Sequence, residues 1–246
     1  MSELAARFHQ AREDPTVAVL EGFHPIKHAL RFGAEVLEVA AVDPGEVAAL
    51  ADRLAPDVRG ELAGRVRGVD PETFAALVPA PPPTAVAALA RRPPDVLESL
   101  VAAPGPGPVV LLDEPRHLGN LGAAIRVAAA AGAEAVAVTG GADPWHPAAV
   151  RGAAGLQFAL PVGRLRSVSA LARPLVALDP EGQPLDPQAV PAGAALAFGS
   201  ERAGLGPEVA AAATLRMALP MRPGVSSLNL ATAVAATLYG LRLPAG

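Results

Sequence analysis

The chain has 246 residues, half of them apolar, with 27 prolines, 24 glycines and no cysteine. That length allows one large domain or two small ones, each with its own core, and the missing thiols exclude disulfides and thiolate metal sites and fit a cytoplasmic protein. A net charge of −4 excludes a polycationic nucleic-acid binder, and no run of about 18 uncharged apolar residues offers a membrane span.

Alanine fits either face of an element, so the Ala-rich composition blurs every periodicity. MSELAARFHQ lacks an apolar stretch and reads as an amphipathic start rather than a signal peptide. Leu4 to Glu13 reads as a helix, Val17 to Leu20 as a short strand, and a second helix follows Gly22 from Pro25 to Phe32. Val36 to Val42 is a strand. Asp43 then Pro44 supply a cap and a first-turn proline for a helix to Leu54. Val66 marks another strand, and Asp70-Pro71-Glu72 opens a helix in the same way. Pro79 to Pro83 is a break, and Ala85 to Ala90 is a strand before Arg91-Arg92-Pro93-Pro94. This alternation predicts a small α/β or α+β domain over residues 1–100. It carries 10 basic and 15 acidic side chains, against 10 and 9 in residues 101–246. Any RNA face must therefore be local, and His24, Lys27, His28 and Arg31 recur on one side of the helix from Pro25.

APGPGP, Ala103 to Pro108, can neither continue a helix nor pair as a central strand, which predicts a linker at 101–108. VVLLDE, Val109 to Glu114, then reads as a strand buried on both faces. Leu118 to Ala131 is a helix, Ala135 to Thr139 a strand ended by Gly140-Gly141, Pro147 to Gly152 a helix and Phe158 to Val162 a short strand. Leu175 to Leu178 and Ala194 to Phe198 are further strands. The alternation predicts a parallel sheet covered by helices over residues 109–246, with a ligand at the carboxyl ends of the strands.

Three stretches concentrate glycine and small polar residues. HLGNLGAAIRVAAAAGA, His117 to Ala133, places Asn120 six residues before Arg126. Such a pair is either a capping asparagine with a snorkelling arginine or part of a site. Its G-x-x-G spacing differs from the G-x-G-x-x-G of dinucleotide folds. GSERAGLG, Gly199 to Gly206, is a glycine turn in which Glu201 and Arg202 could equally form a solvated ion pair, and no G-x-S-x-G elbow marks Ser200 as a nucleophile. LPMRPGVSSLNLATAVAATLYGL, Leu219 to Leu241, passes from a Pro/Gly loop into an Ala-rich helix. Ser226, Ser227 and Asn229 fall at that transition, where backbone N–H groups can hold a ligand. Among the histidines only His24 and His28 have ligand spacing, and they lack a third partner, so no metal is expected. Leu230 to Tyr239 is apolar or small on almost every face, which predicts burial against a second copy of the chain.

Together, NLGAAIRVAAAAGA, LAFGSERAGLGPE and LPMRPGVSSLNLATAVAA resemble, in order and spacing, the three motifs of the SpoU/TrmH family of RNA ribose 2′-O-methyltransferases, within the SPOUT superfamily. The resemblance covers residues 109–243. EGFHPIKHAL (Glu21 to Leu30) and TAVAALARRPP (Thr84 to Pro94) are similar to the small RNA-binding domain that ribosomal-RNA members carry ahead of the catalytic one. The resemblance implies an α/β domain with a deep C-terminal trefoil knot, a rare exception to the rule against knots. It implies S-adenosylmethionine bent within the knot, lined by Gly199, Leu219 and Leu228 with Met221 and Glu201 nearby. Asn120, Arg126, Ser227 and Asn229 fall at the family's functional positions. A homodimer packed through the knot region, with active sites drawn from both subunits, is implied as well. Ser226 stands where glutamate often precedes the SLN triplet, and Ala154 where serine is frequent.

The implied reaction is in-line methyl transfer to a ribose 2′-hydroxyl. The family proposal makes Arg126 the base, although a guanidinium is ordinarily never neutral. The alternative keeps Arg126 charged, gripping the adjacent phosphate and stabilising developing alkoxide. Asn120 would orient Arg126 or the ribose, and Ser227 and Asn229 would position the 2′-hydroxyl and the cofactor. Every nucleotide has a 2′-hydroxyl, so the choice of RNA must come from the extra domain, which favours ribosomal RNA over transfer RNA. A transfer-RNA methyltransferase and a non-catalytic RNA-binding member are the alternatives.

Overall fold

A computed structural model describes residues 2–200 and 203–242. The chain divides into two compact units, Met1–Pro94 with Trp145–Ala159, and Asp95–Pro144 with Leu160–Gly246.

The first unit runs α1 (Glu3–Glu13), β1 (Val17–Glu21), α2 (Phe23–Arg31), β2 (Val36–Ala41), α3 (Pro44–Leu54), α4 (Arg59–Ala63), β3 (Val66–Gly68), α5 (Pro71–Leu77) and β4 (Val86–Arg91). Its sheet has the order β1-β4-β2-β3, with β4 antiparallel to both neighbours and β3 parallel to β2. Short polar residues start α1, α3 and α5. Ser2 Oγ accepts from Ala5 N at 3.2 Å, Asp43 Oδ1 from Gly45 N at 2.8 Å and Asp70 Oδ1 from Thr73 N at 2.8 Å. Each satisfies an N–H that the helix itself leaves without a partner. Strand alternation sends Ala18, Leu20, Val86 and Ala88 to a core with Phe23 and Ile26. Val17, Val19, Ala87 and Leu89 go to the opposite core, with Leu4, Phe8, Phe74 and Leu77.

Residues 145–159 complete the first of these cores. Trp145 and Val150 are buried in it, and Phe158 packs edge-on to Trp145 at 5.1 Å between ring centroids. Arg151 donates at 2.9 Å to the carboxylate of buried Glu21, which also accepts from Arg12 at 2.9 Å. The strand expected over Phe158 to Val162 is displaced. Leu156–Phe158 forms a 3-10 turn behind left-handed Gly155 (φ 77°), and pairing starts only at Val162. A Cβ on Gly155 would lie 2.6 Å from the Pro25 carbonyl oxygen, and Pro161 has no N–H for a ladder.

The second unit runs α6 (Leu97–Val101), β5 (Val109–Leu112), α7 (Leu118–Ala130) and β6 (Ala135–Val138). The chain then gives α8 (Pro147–Gly152) to the first unit and returns as β7 (Val162–Arg164), β8 (Leu175–Pro184), β9 (Ala195–Phe198), α9 (Pro207–Ala212), β10 (Leu215–Ala218) and α10 (Leu230–Gly240). Six strands lie in the order β10-β8-β9-β5-β6-β7, every pair parallel, as the α/β expectation requires. Strand order reverses between β5 and β9, the place where parallel sheets open a crevice. Val109, Leu111, Ala135, Ala137, Ala195 and Ala197 share one core with Leu97, Val101, Val168 and Val209. Their alternating neighbours Val110, Leu112, Val136 and Val138 are equally buried, on the opposite face, and α7 and α10 pack on each other.

The stretch expected as a linker, 101–108, lies inside this second unit. Arg173, only 7 % exposed, donates to Ala103 O at 3.1 Å and to Gly107 O at 3.0 Å, and pairs with Glu134 at 3.0 Å. A buried guanidinium needs acceptors for its five N–H groups, and the Pro/Gly turns present carbonyls to it.

Candidate active site

A cleft of about 350 Å³ opens where the pairing of β8 with β9 stops, at the carboxyl end of β9, and three segments build it. The first is the middle of β8, at and just past the last residue paired with β9. Its pairing with β10 jumps from Ala177 to Gln183, and Leu178, Asp179 and Pro180 line the cleft at that irregularity. Bulges of this kind re-aim side chains beside sites. Gly182 permits the crossing, because a Cβ there would lie 2.6 Å from Met217 N. Asp179 puts a carboxylate on the wall, 3.5 Å from the Arg216 guanidinium.

The second segment leaves β9 as Phe198, Gly199 and Ser200 and folds back on itself. Ser200 N donates to Gly204 O at 2.9 Å, and Gly204 N to Ser200 O at 3.0 Å. Gly199 is pressed so closely to this closure that a Cβ would run into the Gly204 carbonyl. Glu201, expected near the cofactor, lies outside the described residues. The third segment is the loop from Leu219 into α10, and it contributes Leu219, Met221, Ser226, Ser227 and Leu228.

Asn229 caps α10. Its Oδ1 accepts from Ala231 N at 3.0 Å and from Thr232 N at 3.4 Å. With the oxygen turned inward, Nδ2 donates to Asn120 Oδ1 at 3.2 Å. Asn120 sits in the first turn of α7, and Arg126 lies further along the same helix, exposed. Six helical residues separate them by about 9 Å along the axis and about 120° around it. The structure thus gathers Gly199, Leu219, Met221, Ser227 and Leu228 around one cleft and joins Asn120 to Asn229. Arg126 does not line that cleft. Asp179 and Phe198 were missed in the sequence. Their signal was available in their position at the carboxyl ends of the expected strands, Leu175 to Leu178 and Ala194 to Phe198.

In the first unit, the stripe on α2 is already engaged. Arg31 makes two 2.6 Å bonds to Asp57, and His28 Nδ1 donates to Ala154 O at 2.6 Å. Burial holds the His28 imidazole below its ordinary pKa.

A model of the SpoU rRNA methylase family matches residues 107–239, more than half of the chain. The chain belongs to the SpoU rRNA methylase family. Other family proteins align beyond the motifs. Over 246 aligned residues the chain is 29% identical to the 23S rRNA (adenosine(1067)-2′-O)-methyltransferase of Streptomyces laurentii, covering 90% of this chain and 84% of that one. A shorter alignment, 34% identical over 142 residues, relates 54% of it to an uncharacterized tRNA/rRNA methyltransferase of Synechocystis; it spans about half of that protein, 52%. Among solved structures, the SpoU methyltransferase AviRb from Streptomyces viridochromogenes, in complex with AdoMet, superposes with a TM-score of 0.75 at 26% identity, covering 96% of each chain.

Proposed function

We propose that this SpoU-family chain transfers the methyl group of S-adenosylmethionine to a ribose 2′-hydroxyl of ribosomal RNA, in the cytoplasm. The observation that carries the reading is the hydrogen bond from Asn229 to Asn120, which ties the cleft of the second and third motifs to the helix bearing Arg126.

The cleft suits the cofactor. Its volume of about 350 Å³ lies within the roughly 300–1,000 Å³ of small-ligand pockets. Leu178, Phe198, Leu219, Met221 and Leu228 offer apolar walls for a base and a thioether-like chain. Bare backbone at Gly199 and the carboxylate of Asp179 offer polar partners. The cofactor supplies an electrophilic methyl group carried on a cationic sulfur. Asn120 and Ser227 orient the ribose, and Asn229 holds the two motifs in register. Arg126 is exposed, which favours a charged clamp on the neighbouring phosphate and on developing alkoxide over the role of base. The proton then leaves to water or phosphate.

The first unit supplies the choice of RNA, because the 2′-hydroxyl alone carries no sequence information. A second copy of the chain covers the third-motif loop, where Val225 and Leu228 are exposed. The knot expected from the motifs is part of this reading.

Mapping 2′-O-methyl groups in total cellular RNA, with and without this protein, tests the function. Loss of a methyl group at a ribosomal position is the expected result. Loss confined to transfer RNA would overturn the substrate, and an unchanged map would make the protein a non-catalytic RNA binder. S-adenosylhomocysteine should raise the melting temperature and NAD should not, since a ligand stabilises only the state that binds it.

A further inference from the structure

We propose that Asp113, acting with Thr139, is a positioning residue that sets the shape of the cofactor cleft and registers it against the lead-in to α7. The proposal rests on the methyl-transfer reading of that cleft. Asp113 directly follows β5 and is 4 % exposed. Its Oδ1 accepts from Thr139 Oγ1 at 2.5 Å, and its Oδ2 accepts from Gly206 N at 2.6 Å. Its own N–H donates to Phe198 O at 2.9 Å. Thr139 Oγ1 in turn accepts from Glu114 N at 3.1 Å. One carboxylate therefore laces together the carboxyl ends of β6 and β5 and the loop that leaves β9.

Gly199, Ser200 and Gly204 of that loop line the cleft. Its entry is fixed by the crowding of Gly199 against Gly204, and its exit is fixed at Gly206 by Asp113. Asp113 does not line the cleft, so it acts through the loop. Its other arm reaches the turn between β5 and α7. Thr139 holds the N–H of Glu114, a non-glycine residue with φ 47° at the turn toward α7. A left-handed backbone there persists only where its surroundings over-determine it. A well-packed apolar residue would serve a buried strand end at lower desolvation cost, whereas a carboxylate with both oxygens engaged fixes geometry.

The test uses the full chain and its Asp113→Asn and Thr139→Val variants. Calorimetry gives the Kd of S-adenosylhomocysteine, and steady-state kinetics separates the KM for S-adenosylmethionine from kcat. Asp113→Asn trades charge-assisted bonds for weaker ones, and should raise both Kd and KM about tenfold while RNA affinity stays unchanged. Thr139→Val should shift both in the same direction by about threefold, with less than additive loss in the double variant. A purely structural role would lower the melting temperature without moving KM, and a folded Asp113→Asn with unchanged Kd overturns the proposal. If Asp113→Asn fails to fold, Thr139→Val decides, and an unchanged Kd again overturns it. A folded wild-type chain that does not bind S-adenosylhomocysteine would instead sink the methyl-transfer reading, and the clamp with it.

Discussion

The amide of Asn229 is divided between two tasks, its oxygen capping α10 and its nitrogen reaching Asn120. Substitution can separate them. Asn229→Ser keeps a good cap on a shorter side chain, so stability should stay within about 0.5 kcal/mol. The bond to Asn120 is lost, and methylation should fall at least tenfold. Asn229→Ala removes the cap as well and should cost about 1 kcal/mol in urea unfolding. Arg126 stands apart from the cleft, so Arg126→Ala should leave the affinity for S-adenosylhomocysteine unchanged by calorimetry. Methylation in the same variant should drop about 10²- to 10³-fold, as when a transition-state donor is removed. An affinity that collapsed together with activity would place Arg126 in cofactor binding or in the core.

At the scale of elements, the local signals were legible and the non-local ones were not. VVLL and ALAF announce buried parallel strands, and Asp43-Pro44 and Asp70-Pro71 announce helix starts, because each cause lies within a few residues of its effect. The cleft residues came from the resemblance of the three motifs to a known family, not from local chemistry. Arg173 gave no such signal, since its carbonyl partners lie in the 101–108 stretch, far away in sequence. Asp113 gave none either, since its two donors, Thr139 and Gly206, lie 26 and 93 residues further along the chain. Two predictions belong here. Gly199→Ala has no space against the Gly204 backbone, so it should abolish S-adenosylhomocysteine binding, measured by calorimetry, in a chain that still folds. Glu134 is held below its ordinary pKa chiefly by its hydrogen bonds from Arg173. A lowered folded pKa contributes stability above the unfolded value, and that stability is lost as pH falls through the folded one. Glu134→Gln should therefore be less stable than wild type at neutral pH, and the difference in urea midpoint should close on acidification below the usual glutamate range.

For the whole molecule, Val225, Leu228 and Tyr239 are 49 %, 40 % and 47 % exposed on the third-motif loop and α10. The proposed second copy would cover them, and light scattering at micromolar concentration should then give twice the 24.7 kDa chain mass. A monomer would sink the dimer and with it the shared active site. The division of the chain also bears on how its substrate choice is tested. Removing residues 1–94 strips Trp145, Val150 and Phe158 of their core, so that truncation should aggregate and cannot report on RNA choice by itself. The same division has a consequence during synthesis. When Pro94 leaves the ribosome, the first sheet still lacks the tryptophan, valine and phenylalanine that close one of its faces. Those side chains follow some fifty to sixty-five residues later, roughly 3–13 s at bacterial elongation speeds. The N-terminal unit thus waits, one face open, while the first strands of the other unit are made. Nascent chains of this protein should bind a holdase chaperone over that interval and release it once Ala159 has emerged.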